Sequence, residues 1–293
     1  MSLVALLAMY EICAAESGKA TMYGGNLNGN ACGMDGTADA FQQKYYAAIG
    51  SSNFNDGYGC GKCYTVRCTG AYGTNVDCSC DTSKSITIQA LDQCPECDDS
   101  HFDFNTDVMV YFTGSSSMAG TCGIIAIEYE QVDCDISGNF RVVNKGGTSR
   151  WWYGMHLNDV AGDGGVSAVN LFKNGDKVGY CNKGQGPSFW ICTASSGTFP
   201  DAPLDIQIIG YSGESVTASG CITSYEGGAE MRCNTNLGGA STSDSTSDTK
   251  TTTTTTTTSS GSSGSTASGK IQIKQNSDVS VWWYAIEFPN GDN

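Results

Sequence analysis

Short runs in which apolar and polar residues alternate dominate the first part of the chain. The runs 63–68 (C-Y-T-V-R-C), 85–91 (S-I-T-I-Q-A-L) and 124–132 (I-I-A-I-E-Y-E-Q-V) have apolar residues at every second position and are separated by glycine-containing segments. A period of two is typical of half-buried β-strands. Many short strands leave exposed edges unless the sheet closes, so we expect a closed or nearly closed β-barrel. Short helices are expected only at residues 38–49 and 106–112.

A second strand-rich block follows after the very short junction at residues 133–137. Its regular spacing over about 100 residues predicts a β-sandwich of immunoglobulin-like size. Two domains joined so tightly should dock in a fixed relation and form one continuous face. The strand-like runs are 140–143, 166–172, 189–193 and 204–209.

The two ends of the chain have different compositions from these blocks. Residues 1–15 contain a short apolar run followed by small residues, which indicates a secretory signal peptide although the usual basic start is missing. Residues 238–269 consist almost entirely of Ser, Thr, Gly and Asp, which cannot bury apolar surface and predicts an extended linker.

The last segment, residues 270–293, resembles the start of the second block. The triplet W-W-Y at 151–153 recurs at 282–284, with matching isoleucine and aromatic positions around it. Because two strands cannot form a core alone, we interpret this segment as the truncated start of a second sandwich module. The alternative is an aromatic strand that matches by chance.

The cysteine count fits an oxidising compartment. Removal of a signal peptide takes Cys13 with it and lowers fifteen cysteines to fourteen, an even number suited to full disulfide pairing. Two C-x2-C pairs also resemble a zinc ribbon, but six further cysteines in the same block favour disulfides. The cysteines expected to pair are Cys32, Cys60, Cys63, Cys68, Cys78, Cys80, Cys94, Cys97, Cys122, Cys134, Cys181, Cys192, Cys221 and Cys233.

The net charge limits the class of partner. A formal charge of −15 and a pI near 4.3 leave no basic surface for phosphate, which argues against nucleic acid and anionic lipid. No later segment approaches the roughly 18 apolar residues of a membrane span. A neutral polysaccharide such as a β-glucan is the better candidate.

Two carboxylates flank a cysteine-containing turn in residues 90–104 (A-L-D-Q-C-P-E-C-D-D-S-H-F-D-F). Strand alternation places Asp103 on the open face while its phenylalanine neighbours enter the core, and a carboxyl beside aromatic surface tends towards its neutral acid form. Asp92 and Asp103 are therefore candidates for protonating or hydrogen-bonding a glycosidic oxygen. Thr21 and Tyr23 alternate on one face of a run that can hydrogen-bond sugar, although both are also good strand formers.

Five motifs in order resemble the expansin family. They are A-T-M-Y-G-G at 20–25, C-G-K-C at 60–63, L-D-Q-C-P at 91–95, H-F-D-F at 101–104, and G-N-F-R-V-V-N-K-G-G-T-S-R-W-W at 138–152. The resemblance implies a double-psi β-barrel similar to that of family 45 glycoside hydrolases, at residues 18–134, followed by an immunoglobulin-like cellulose-binding β-sandwich at 137–237. It also implies loosening of cell walls without evident hydrolysis and without a cofactor or metal.

The resemblance assigns roles to four barrel residues and exposes one departure. Asp103 matches the general acid of the hydrolase relatives, Asp92 the other aspartate of the expansin groove, and Thr21 and Tyr23 its opening motif. The hydrolases carry the water-activating Asp where this chain has Gly25. Since inverting hydrolysis needs an acid and a base, the resemblance implies that half of the machinery is missing.

Aromatic residues are the candidate binding surface of the second block. Trp151 and Trp152 resemble the paired tryptophans of the expansin binding domain, with Trp190 or Phe189 as the third ring and Lys145 as a sugar hydrogen-bond donor. Consecutive strand residues point to opposite faces, so the pair shares a surface only at a bulge or a strand end. The alternative is that one of the pair belongs to the core.

Together these features predict a secreted, monomeric expansin-like protein of the cell wall or matrix. It would lay Trp151, Trp152 and Trp190 on cellulose or other β-glucans and hemicellulose, while the barrel grips a neighbouring strand. One alternative is a weak endoglucanase or lytic transglycosylase that uses Asp103 as its acid. Another is a non-catalytic cellulose-binding wall or matrix protein whose barrel is structural.

Overall fold

The computed structural model describes residues 15–24, 27, 29–34, 44–184 and 189–238. Residues 1–14 of the predicted signal peptide, Gly25, the linker from residue 239 onwards and the repeated segment 270–293 lie outside the described residues.

Six strands of the first domain close into a barrel in the order β1-β5-β2-β4-β3-β6, with β6 pairing back to β1. The pairs β1/β5 and β2/β4 are parallel, and the other neighbouring pairs are antiparallel. The closed sheet of mixed direction fits the predicted double-psi barrel. The strands are β1 (Glu16–Tyr23), β2 (Tyr46–Gly50), β3 (Cys63–Ala71), β4 (Ser85–Cys94), β5 (His101–Asn105) and β6 (Ile125–Val132).

Short helices lie between the barrel strands: α1 (Ser51–Phe54), α2 (Thr106–Thr113) and α3 (Ser116–Cys122), with a 3-10 turn at Asn55–Gly57. The predicted helix at 106–112 is confirmed by α2. The predicted helix at 38–49 is wrong in its described part, because Tyr46–Gly50 forms a strand. All five residues of β2 are buried, so no alternation marks them as a strand in the sequence.

The second domain is an eight-stranded sheet in the order β13-β12-β9-β10-β11-β8-β7-β14, with every neighbouring pair antiparallel. The disulfide Cys221–Cys233 joins one outermost strand to the residue directly after the other, so the two ends of the sheet meet around one core. The strands are β7 (Arg141–Asn144), β8 (Tyr153–Asn158), β9 (Ala168–Lys173), β10 (Asp176–Lys183), β11 (Trp190–Ala194), β12 (Leu204–Ile209), β13 (Ser215–Ile222) and β14 (Glu230–Arg232).

The two domains contact each other directly. The ring of Tyr58, from the barrel, meets the ring of Trp190 edge-on at 5.9 Å between centroids. Tyr211 Oη donates a hydrogen bond to the Tyr58 carbonyl at 2.9 Å. A Cβ on Gly164 would collide with the Gly61 carbonyl, so the backbones touch where a side chain has no room. These contacts join the two domains across their boundary.

All fourteen cysteines expected to pair do so, which confirms the disulfide prediction. Because the two C-x2-C pairs are consumed in these bonds, their sulfurs cannot form a zinc ribbon. The seven bonds are Cys32–Cys60, Cys63–Cys134, Cys68–Cys80, Cys78–Cys122, Cys94–Cys97, Cys181–Cys192 and Cys221–Cys233. Within the described part of the chain, no helix is long and apolar enough to cross a bilayer.

Candidate functional site

The parallel pairing of β1 with β5 brings Thr21 beside Asp103. The register matches Lys19 with His101 and Thr21 with Asp103. Phe102 and Phe104 enter the barrel core, whereas His101 and Asp103 remain partly exposed, as the alternation predicts. The barrel therefore presents a row of polar side chains along β1 and β5, which we call the groove.

The Thr21 hydroxyl connects two titratable groups of the groove. Thr21 Oγ1 donates to Asp103 Oδ1 at 2.6 Å and lies 2.8 Å from His101 Nε2. A hydroxyl has one proton, so when Thr21 donates to the carboxylate it accepts from the His101 N–H. If Asp103 is protonated, both bonds can reverse. The three side chains thus form a hydrogen-bonded relay across the two strands.

Burial shifts the pKa values of both ends of this relay. Desolvation of the half-buried Asp103 raises its pKa, and the hydrogen bond from Thr21 opposes this shift. Desolvation also lowers the pKa of His101, with a smaller contribution from the Lys19 charge. Both shifts favour the neutral forms, because burial penalises charge. Asp103 is therefore suited to donate a hydrogen bond or a proton.

Asp92 lies on β4, beyond a register shift between β2 and β4. Ala47 pairs with Ala90 while Ala48 pairs with Asp92, so one extra residue of β4 is accommodated here. A bulge of this kind redirects the next side chain. Asp92 Oδ1 accepts from the amides of Ala31 at 2.8 Å and Gln93 at 2.9 Å, and Oδ2 accepts from Tyr23 Oη at 3.3 Å. Most of its acceptor capacity is thereby occupied.

Asp92 and Asp103 lie on the same side of the barrel sheet, one on each side of β2, so Asp92 extends the groove towards β4. Ala48 of β2 pairs with Asp103 on one side and with Asp92 on the other. Two strand spacings place the aspartate Cα atoms about 10 Å apart. An inverting acid and base must flank the scissile bond from opposite sides of the sugar. Two carboxylates on the same side of the sheet are therefore better suited to binding the sugar together than to acting as an inverting acid and base.

Trp151 and Trp152 lie in the loop that enters β8, where they escape strand alternation. The Ser149 Oγ accepts from the amides of Trp151 at 3.2 Å and Trp152 at 3.3 Å, and the Ser149 amide donates to the Trp152 carbonyl. Trp151 is 74% exposed and Trp152 is 38% exposed. A Cβ on Gly154 would meet the Trp152 ring at 2.8 Å, so the ring packs against β8 at a position where only glycine leaves room for it.

The third ring of this surface is Phe189, and the expectation for Trp190 is corrected. Trp190 is only 2% exposed, because the alternation of β11 turns it into the core. Phe189, the preceding residue, is half-buried and meets the Trp152 ring edge-on, at 6.3 Å between centroids and 66° between planes. Lys145 Nζ lies 4.5 Å from the Phe189 centroid. We call Trp151, Trp152 and Phe189, with Lys145, the aromatic surface.

A series of contacts through Gly33 and His156 connects the groove to the aromatic surface. The loop that donates to Asp92 through Ala31 continues to Gly33, where a Cβ would collide with the His156 ring. His156 in turn meets Phe189 at 6.0 Å between ring centroids. Contacts between neighbouring residues therefore run from the Asp92 end of the groove to Phe189. His156 carried no prediction, although alternation in β8 could have placed it beside Gly154.

Comparisons with known proteins agree with this fold. A family model described as lytic transglycolase matches residues 46–129, inside the barrel. Putative expansin-B2 of Arabidopsis thaliana is 29% identical over 230 residues, covering 75% of this chain and 80% of the relative. Expansin-B11 of Oryza sativa subsp. japonica is 28% identical over 233 residues, covering 74% of this chain and 76% of the relative.

Two solved structures share the two-domain architecture. The apo form of an expansin from Clavibacter michiganensis has a TM-score of 0.58 at 22% identity, covering 75% of this chain and 96% of its own. A point mutant of that expansin in complex with cellohexaose has a TM-score of 0.59 at 21% identity, covering 76% of this chain and 98% of its own. The likeness extends over both domains described above.

Proposed function

We propose that this chain is an expansin that binds cellulose and loosens β-glucan contacts without cutting them, a proposal supported by its similarity to expansins over both domains. The aromatic surface lies on the polymer while the groove holds a neighbouring glucan strand. Contacts between glucans are exchanged for contacts with the protein, and no covalent bond breaks.

The observation that carries this proposal is the exposed aromatic surface beside β8. Flat rings bury apolar area against the apolar faces of pyranose rings, and Trp151 alone keeps 74% of its surface exposed. Isolated exposed aromatic residues are ordinary on protein surfaces, whereas contiguous ones mark interaction sites. Binding of cellohexaose by the expansin relative supports the same class of ligand.

Asp103 acts in this proposal as a hydrogen-bond partner of a glycosidic oxygen or sugar hydroxyl. Its raised pKa favours the protonated carboxyl, which can donate as well as accept, whereas the hydrogen bond from Thr21 stabilises the anion. Asp92 and Tyr23 fix the end of the groove nearest the second domain. The base position at Gly25 lies outside the described residues, so its loss rests on the sequence.

A lytic reaction is the second candidate, and one observation favours it. A neutral Asp103 can protonate the leaving glycosidic oxygen, and the hydrogen bond from Thr21 then stabilises the aspartate anion. An internal hydroxyl of the sugar attacks the anomeric carbon in place of water and releases its proton to the Asp103 carboxylate, which restores the acid. The family model described as lytic transglycolase covers the same barrel strands.

Product analysis separates the two candidates. The chain, its Asp103→Asn variant and the control Asp176→Asn, an exposed aspartate of the second domain, are incubated with pure soluble β-glucan. We expect no new reducing ends and no anhydro-sugars from any of them. Products that disappear only in Asp103→Asn would establish the lytic candidate. Wall extension that persists in Asp103→Asn, with cellulose binding intact, would favour a binding protein whose barrel is structural.

The extracellular location is part of the same proposal. Seven disulfides in the described domains suit an oxidising compartment, and a neutral wall polymer is found outside the cell. N-terminal sequencing of the exported chain tests it, with a start near Glu16 as the expected result.

A further inference from the structure

Tyr72 is an exposed aromatic residue beside Lys19, at the end of the groove away from Asp92. It follows β3 directly and is 44% exposed. Ala71, the last residue of β3, pairs with Ile125 of β6, and Ile125 pairs with Ala20 of β1. The phenol therefore leaves the barrel two strands away from the groove strand β1.

A lysine bridges this distance. Lys19 Nζ lies 6.0 Å from the Tyr72 ring centroid and forms an ion pair with Asp98 Oδ2 at 2.6 Å. Lys19 also pairs in register with His101, whose side chain contacts Thr21. The row of polar side chains thus continues from the relay, past Lys19, to the Tyr72 ring.

The spacing of side chains along β1 gives the length of the groove from Lys19 to Tyr23. Lys19, Thr21 and Tyr23 occupy alternate positions on one face of the strand. Four residues of a strand span about 13 Å. Tyr72 extends this path beyond Lys19, at the end opposite Asp92 and the second domain.

We propose that Tyr72, with Lys19 and Asp98, forms a distal subsite that stacks one pyranose unit of a neutral β-glucan chain lying in the groove. This inference rests on the proposed function and extends its groove by one aromatic contact. The ring face supplies apolar stacking, and the ion pair supplies donors and acceptors for sugar hydroxyls. Asp98 neutralises Lys19, so the subsite suits an uncharged sugar rather than an acidic one.

An exposed tyrosine without function is the competing explanation, and the chain contains a matched example. Tyr180 is also 44% exposed and has Lys177 Nζ at 5.9 Å from its ring centroid. It lies on β10 of the second domain, away from the groove. The two tyrosines match in exposure and in the distance to a lysine, so Tyr180 controls for an exposed tyrosine beside a lysine outside the groove.

Amide chemical shifts of the full chain test the subsite. Cellotriose and cellohexaose are titrated separately, and the amides of Thr21, Asp92 and Asp103 report occupancy of the groove alone. Tyr72→Ala should weaken cellohexaose binding about three- to tenfold, the range of one aromatic contact. The affinity for cellotriose, which we expect to bind at the Asp92 end, should change less than about twofold in Tyr72→Ala. The affinities of Tyr72→Phe and Tyr180→Ala for both sugars should match those of the wild type within the same limit.

Each other outcome overturns a defined part of the account. Equal effects of Tyr72→Ala and Tyr180→Ala, or no effect of either, refute the subsite and leave the proposed function standing. Loss of cellotriose binding at Asp92 in Tyr72→Ala also refutes it, because the ring would then support the groove itself. If neither sugar shifts the groove amides of the wild type, the proposed function of the groove fails and the subsite fails with it.

Discussion

Replacing the three tryptophans of the second domain should distinguish residues that bind cellulose from residues that stabilise the fold. Trp151, Trp152 and Trp190 are 74%, 38% and 2% exposed. Replacing each in turn changes how much ring remains available for a flat polymer. The exposed residues should matter for binding, and the buried one for folding.

The exposures give magnitudes for the binding losses. A tryptophan side chain contributes about 200 Å², and stacking on a flat surface covers roughly half of what is exposed. At about 25 cal/mol per Å², Trp151→Ala loses about 1.9 kcal/mol and Trp152→Ala about 1 kcal/mol. These values correspond to about twentyfold and about fivefold weaker binding. Trp190→Phe removes no exposed stacking area.

The loss of folding stability should follow the opposite order, largest at Trp190 and smallest at Trp151. Shortening a buried Trp190 leaves a cavity beside Tyr58, and complete truncation of such a ring costs about 3–5 kcal/mol. Trp190→Phe should cost less because most of the ring volume remains. Trp151→Ala should change the free energy of unfolding by less than about 0.5 kcal/mol, since it removes little buried area.

Depletion isotherms on crystalline cellulose and urea unfolding of the same samples check both orders. Equal cellulose affinity for Trp151→Ala and the wild type would refute the stacking argument. A folded Trp190→Phe chain that binds about twentyfold more weakly would also refute it, since its ring has almost no exposed area to lose.

Further predictions concern the groove and the support of the aromatic surface. Burial raises the pKa of Asp103, so the native state binds a proton more tightly than the unfolded chain, whose aspartate has its ordinary value near 3.8, and stability falls as pH rises between these two values. Asp103→Asn should therefore gain stability over the wild type above that window and lose the advantage below it; a constant difference in urea unfolding at all pH values would contradict this. Thr21→Val removes the hydrogen bond that lowers the pKa of Asp103, so the carboxyl resonance should titrate at higher pH, and an unchanged titration would show that Thr21 does not stabilise the anion. Gly154→Ala should displace the Trp152 ring and weaken cellulose binding about fivefold, like Trp152→Ala, whereas Gly120→Ala, which meets open space, should bind like the wild type.

Alternation within single strands was the most reliable guide in the sequence. It placed Phe102 and Phe104 in the core and His101 and Asp103 in the groove, because β5 is half-buried and regular. The same rule could have assigned Phe189 to the outer face, since it shares the parity of Ile191 in β11. The resemblance offered both Trp190 and Phe189 as the third ring and did not separate them.

Features that depend on neighbouring strands were beyond the sequence. β2 is buried at all five positions, so its pattern cannot be distinguished from a short buried helix. The register shift that aims Asp92 at the groove depends on how β2 and β4 pair, which no single strand encodes. The contact of Gly33 with His156 joins two domains across more than 120 residues of chain.

Extension of an isolated wall strip under constant load, with analysis of released sugars from the same strip, tests the central claim most directly. The account predicts that the wild-type chain extends the strip without new reducing ends or anhydro-sugars, and that Trp151→Ala extends it less in proportion to its weaker binding. Extension that rises and falls with the amount of cleaved glucan, and that disappears in Asp103→Asn together with the products, would contradict it.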